Sequence, residues 1–100
     1  MIRGTTPEHT FTIPMDASTL KSVRVIYCQG GNKILVKEGS ACVLTGNTVK
    51  VRLTQADTFL FDYKKEVEIQ IRVMTNKGDV SNSEIITETV ERCLETEVIR

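Results

Sequence analysis

Glu66-Val67-Glu68-Ile69-Gln70-Ile71-Arg72-Val73 alternates polar and β-branched residues over eight consecutive positions. A helix turning every 3.6 residues would spread that pattern around its circumference. A strand, whose successive side chains point to opposite faces, gathers the four aliphatic residues on one side. The segment therefore predicts a β-strand with one buried and one wet face.

The same rhythm recurs. Thr48-Val49-Lys50-Val51-Arg52-Leu53 places positions 49, 51 and 53 inward and follows the turn signal Thr45-Gly46-Asn47. Val23, Val25 and Tyr27 form another inward row, with Ser22, Arg24, Ile26 and Cys28 opposite, so this strand is expected to be covered on both faces over its second half. Gly30-Gly31 supplies positive-φ residues for a tight hairpin joining strand 21–29 to strand 33–38. His9-Thr10-Phe11-Thr12-Ile13 alternates until Pro14, which has no ladder donor and puts the end of this strand at an edge or bend. Asn76-Lys77-Gly78-Asp79 reads as a second hairpin turn, with residues 80–90 as the return strand and Ile85-Ile86 marking a bulge.

Helical signals are confined to two places. Thr54, three residues before Asp57, resembles a capping box for a single turn near residues 54–58. Val90, Cys93, Leu94 and Val98 lie near helical spacing, but a last short strand fits residues 91–100 almost as well. The count is seven or eight short strands about 8 to 12 residues apart, the pattern of an all-β antiparallel sandwich, with a small barrel as the rival. At 100 residues, without a linker or low-complexity tract, the chain reads as one domain spanning 1–100.

Thirteen Lys+Arg balance thirteen Asp+Glu, so no bulk charge draws the chain toward nucleic acid or anionic lipid. The N-terminus lacks an apolar signal region and no run approaches the ~18 apolar residues of a membrane span, so the expected product is soluble and not exported by that route. Cys28, Cys42 and Cys93 are odd in number and scattered, which suits reduced structural thiols rather than a disulfide framework or zinc site.

Catalytic chemistry finds little material. His9 is the only imidazole, no nucleophile stands beside a base, and no phosphate loop or calcium loop is present. Glu66, Glu68, Glu88 and Glu91 read as solvated positions rather than ligands for a hard cation. Lys64-Lys65, Arg24, Lys50, Arg52 and Arg72 are interleaved with Glu or Thr rather than the aromatics that base stacking wants, and Phe59, Phe61 and Tyr63 are expected to plug the end of the sandwich. No catalytic residue, cofactor or metal is expected.

Leu44-Thr45-Gly46-Asn47-Thr48-Val49 resembles the strand opening of immunoglobulin-like domains in tailed-phage baseplate upper proteins. The Val67–Val73 run, the Gly78 turn and Ser83-Glu84-Ile85 are similar to small proteins encoded by phages and prophages of Gram-positive bacteria. The resemblance touches about half the chain and implies an immunoglobulin-like sandwich acting as a virion structural adaptor. The baseplate proteins carry this domain ahead of further parts whereas this chain stops at Arg100, so a receptor-binding role is not carried over.

Two functions follow as expectations. The first is a non-enzymatic tail, baseplate or capsid accessory module that pairs with phage structural proteins or with copies of itself, in the bacterial host cytoplasm during assembly and in the virion. Its expected contact is the strand edge at Thr10, Phe11, Thr12 and Ile13. The second is a carbohydrate- or small-ligand-binding sandwich, with Tyr27, Gln29, Tyr63 and Gln70 lining its face.

Overall fold

The computed structural model describes all 100 residues, Met1–Arg100. Eight strands follow one another: β1 (Glu8–Thr12), β2 (Leu20–Gln29), β3 (Asn32–Glu38), β4 (Cys42–Thr45), β5 (Thr48–Arg52), β6 (Val67–Thr75), β7 (Val80–Asn82) and β8 (Ile86–Glu88). One helical turn, α1 (Gln55–Phe59), crosses between β5 and β6. Every strand pairing is antiparallel, in a three-stranded sheet β1-β5-β4 and a five-stranded sheet β3-β2-β6 whose far edge is shared by β7 and β8. These orders match immunoglobulin strands B-E-D and C′-C-F-G, without a strand A beside β1. Residues 1–3 pair instead with the stretch after β8: Ile2 bridges Glu91 in parallel, and Arg3 N–H donates to the Glu91 carbonyl at 3.0 Å.

Turn chemistry sets the hairpins. Gly30 and Gly31 both have positive φ, 56° and 80°, the requirement of the two-residue type I′ turn between β2 and β3. Gly46, at φ 57°, occupies the first central position of the two-residue turn between β4 and β5, where a type II′ turn needs it.

The alternating faces fall where the sequence puts them. Val67, Ile69, Ile71 and Val73 of β6 are all buried, as are Val23, Val25 and Tyr27 of β2, and Val49, Val51 and Leu53 meet them from the other sheet. Each such side chain contributes about 1.5–3 kcal/mol when removed from water. Intrinsic strand preferences span only about 1 kcal/mol, so the buried face dictates the register. On the other face of β2, Ile26 and Cys28 are only half-buried, so the expected covering on both sides is partial.

Residues 80–88 form two short strands rather than one. Val67 lies opposite Glu88 and Arg72 opposite Asn82, so one extra residue is accommodated between β7 and β8. Ser83 stitches this bulge to β6: its N–H donates to the Ile71 carbonyl at 2.9 Å and its hydroxyl accepts from Ile71 N–H at 3.0 Å.

Five residues are too few for a helix to hold itself in water, and α1 is fastened at its start. Thr54 Oγ1 accepts from Asp57 N–H at 3.0 Å while the Asp57 carboxylate accepts from Thr54 N–H at 2.9 Å, completing the capping box. Lys37, facing inward from β3, reaches the same carboxylate at 2.7 Å.

The C-terminal stretch departs from both sequence expectations. Val90 is buried, but residues 91–100 form neither helix nor strand. Leu94 is 94 % exposed, so no apolar surface receives the face that helical spacing would have made. Ile99 is instead held by the Gln55 amide, whose oxygen accepts from Ile99 N–H at 2.8 Å and whose nitrogen donates to the Ile99 carbonyl at 2.9 Å. No helix is long and apolar enough to cross a membrane.

Candidate functional site

β1 is the outer strand of the three-stranded sheet, and its main chain divides by parity. Leu53 N–H donates to the Pro7 carbonyl at 2.9 Å and Ile13 N–H to the Asn47 carbonyl at 2.8 Å. These two contacts identify the hydrogen-bonded pairs of the ladder, which recur at every second residue. His9 and Phe11 therefore bond to β5, whereas Glu8, Thr10 and Thr12 direct both N–H and C=O away from it. No backbone bond outside the ladders and no side chain engages those three residues. Their side chains are exposed, while Phe11 and Ile13 point into the core.

The remaining edges are guarded or short. β3 carries the inward-pointing Lys37 and pairs through a register shift at Tyr27/Cys28, two devices that discourage strand addition. β7 and β8 are broken by the Ser83 bulge, and residues 1–3 cover the stretch following β8. β4 has four residues, and the Cys42 N–H that begins it is taken by the Gly39 carbonyl. β1 has no bulge, and its one inward ionisable residue is His9.

His9, on β1, is held by two other elements. Its Nδ1 lies 2.7 Å from the Tyr27 hydroxyl of β2, across the sandwich, and its Nε2 lies 3.5 Å from the Glu88 carboxylate of β8. A neutral ring with its proton on Nε2 satisfies both: Tyr27 donates to Nδ1 and Nε2–H points at Glu88. Burial holds the His9 pKa below its ordinary value, against the pull of Glu88, and the nearby N-terminal amine adds to the lowering. Burial likewise pushes the Tyr27 hydroxyl up. The pair ties the two sheets together.

The four residues expected to line a ligand face do not share one. Tyr27 is wholly buried and Gln29 is 4 % exposed. Gln29 serves as a latch on the loop before β6, its amide nitrogen donating to the carbonyls of Asp62 (2.8 Å) and Lys65 (3.0 Å) and its oxygen accepting from Asp62 N–H (2.8 Å). Gln70 is half-buried and donates to the Ser83 carbonyl at 2.9 Å. Tyr63 alone is open, with Lys64 Nζ 5.8 Å from its ring centre. The plug at the sandwich end is also narrower than expected. Phe61 enters the core beside Tyr27 at 5.8 Å between ring centres, Phe59 stays half-buried with the Arg3 guanidinium 5.5 Å from its ring, and Tyr63 remains outside.

The charged residues are similarly dispersed. Lys50 and Arg52 lie on the outer face of the three-stranded sheet, Arg24 and Arg72 on that of the other, so they form no continuous basic patch. Arg24 is paired with Glu38 at 2.7 Å, and Arg72 donates to Asn82 at 2.9 Å. Glu68 faces outward while Glu88 turns inward to His9, so the acidic residues do not converge. An open groove of about 680 Å³ lies where β3 parts from β2, with Leu20, Leu44, Met74 and Val80 beside Arg24 and Arg72. Ser22, Lys21 and Glu38 line it as well, but the Glu38 carboxylate is paired with Arg24 and no hydrogen bond joins the Ser22 hydroxyl to either neighbour. The latch at Gln29 and the Lys37–Asp57 tie escaped the sequence reading because each joins residues far apart in the chain. A polar residue on an inward strand position was the available signal for both.

A scan of protein families finds none that the chain matches, and a search of curated proteins finds no significant relative.

Proposed function

We propose that the chain is a non-enzymatic interaction module, a tail, baseplate or capsid accessory component of a phage or prophage, that joins its neighbours by accepting a β-strand along β1. The observation that carries this reading is the row of unengaged main-chain groups on Glu8, Thr10 and Thr12. Three adjacent donors and three acceptors, with no bulge and no inward fixed charge, suit an extended segment of another polypeptide, for which main-chain bonds provide affinity. The partners are other phage structural proteins or copies of the chain itself, met in the host cytoplasm during assembly and retained in the virion. The resemblance to baseplate immunoglobulin-like domains points the same way. A sugar-binding face has less support, because Tyr27 and Gln29 are committed to the interior.

The test is light scattering of the protein mixed with the products of the genes flanking its own. A complex is expected with wild type and not with Thr10→Pro, which removes one outward N–H and no ladder bond. A strict monomer that binds none of them, or an equally tight complex with Thr10→Pro, would defeat the proposal.

A further inference from the structure

We infer that β1 pairs with β1 of a second copy of this chain, antiparallel about a two-fold axis at Thr10, joining the two three-stranded sheets into one of six strands. The inference rests on the strand-accepting reading of the β1 edge and adds the occupant and its register. The free groups sit on Glu8, Thr10 and Thr12, evenly spaced about Thr10, so the row is its own complement when reversed.

Centring on Thr10 sets Thr10 opposite the partner's Thr10 and Glu8 opposite the partner's Thr12. Each pair exchanges two N–H···O bonds, so every free group between Glu8 and Thr12 is satisfied. Charge favours this arrangement. A shift that centres the axis on Glu8 would set two carboxylates face to face, which is destabilising in a cross-strand pair. The Thr10 register holds them roughly 14 Å apart, four residues along the strand. The two threonines at the axis can hydrogen-bond through their hydroxyls, and on the inner side His9 meets the partner's Phe11 in a closely spaced pair.

The prolines delimit the contact. Pro14 falls on the outward row and has no N–H, so it ends the row beyond Thr12. Pro7 falls on the inward row, where only its carbonyl is used, by Leu53 N–H, so it does not interrupt the free edge. Strand addition is thus confined to one short segment, which favours a closed pair over an open fibre.

The register is read by cross-linking in a Cys28→Ser/Cys93→Ser background, in which the remaining Cys42 is buried. Hydrogen-bonded pairs hold their Cα atoms about 5.5 Å apart, inside the range of about 4.4–6.8 Å that a disulfide spans. Under mild oxidation Thr10→Cys is expected to cross-link with itself at least tenfold faster than Glu8→Cys or Thr12→Cys. Glu8→Cys mixed with Thr12→Cys is expected to give the heterodisulfide that neither forms alone. Light scattering should show the wild-type mass rising from 11.2 kDa toward twice that value with concentration, and Thr10→Pro staying monomeric with an unchanged circular dichroism spectrum. Equal self-cross-linking at positions 8, 10 and 12 would overturn the register. A wild type that stays monomeric to millimolar concentration, with no Thr10→Cys disulfide, would overturn self-pairing. In that case a Thr10→Pro-sensitive complex with a flanking gene product would leave the strand-accepting reading standing, and the lack of any complex would remove both.

Discussion

Replacing Gln29 by Met tests whether its buried amide organises the approach to β6. Met keeps the unbranched length and most of the volume, so the change isolates the polar contribution. Three hydrogen bonds disappear, two donated to the Asp62 and Lys65 carbonyls and one accepted from Asp62 N–H. Each is worth about 0.5–1.5 kcal/mol net, which brackets the loss at roughly 1.5–4.5 kcal/mol. Asp62 and Lys65 are themselves exposed, so water can reach part of the freed backbone, and the expected value is about 2–3 kcal/mol. For a domain of this size that corresponds to a fall in Tm of roughly 8–24 °C. Urea melts should show a lower midpoint with an unchanged slope, since the same surface is exposed on unfolding. The Asp62 amide should also exchange with solvent faster at native conditions. A loss below about 0.5 kcal/mol, with Asp62 exchange unaltered, would refute the latch.

Two further outcomes follow from the packing and from the titrating groups. Ile71→Ala, on the buried face of β6, should cost about 2–5 kcal/mol in urea melts, whereas Gln70→Ala, half-buried with a single bond to Ser83, should cost under about 1; equal losses would mean the faces are misassigned. Stability should decline on acidification in two stages, because His9 and Asp57 both have folded pKa values below their unfolded ones. His9, depressed mainly by burial against the opposing effect of Glu88, contributes fully above the ordinary 6.5 and loses that contribution as pH falls below it. For Asp57, burial raises the carboxyl, but hydrogen bonds from Lys37 and Thr54 and the Lys37 charge outweigh it; its contribution is present above 3.8 and is lost as pH falls through the lower folded value. His9→Gln should flatten the profile just below the ordinary imidazole value of 6.5, and Lys37→Met should shift the acid limb upward; unfolding profiles unchanged by both would contradict this account.

The dispersal of charge explains why the interaction reading rests on main chain rather than on side chains. The basic residues are divided between the two sheet faces, Arg24 and Arg72 side by side on one of them are engaged by Glu38 and Asn82, and the one histidine is spent on joining the sheets. Backbone groups, by contrast, are available wherever a ladder ends, and β1 ends one without the bulge or inward fixed charge found at β3.

Local order was legible in the sequence because strand faces and turns depend on near neighbours. The period of two in Glu66–Val73 defined its buried side, Gly30-Gly31 and Gly46 marked the hairpins, and Thr54 with Asp57 announced the single helical turn. The bulge between β7 and β8 was visible as broken alternation at Ile85-Ile86. Tertiary structure alone decided which polar residues are interior. Gln29, Lys37 and Tyr27 have partners about 18 to 36 positions away, and spacing along a chain carries no information about such contacts. It also decided that residues 91–100 remain irregular, because an apolar stripe forms a helix only where a surface exists to bury it, and Leu94 meets none. Which edge is left unpaired is likewise a property of the assembled sheets: β1 lies outermost because β5 occupies one side of it and residues 1–3 pair with the stretch after β8 instead of with its other side.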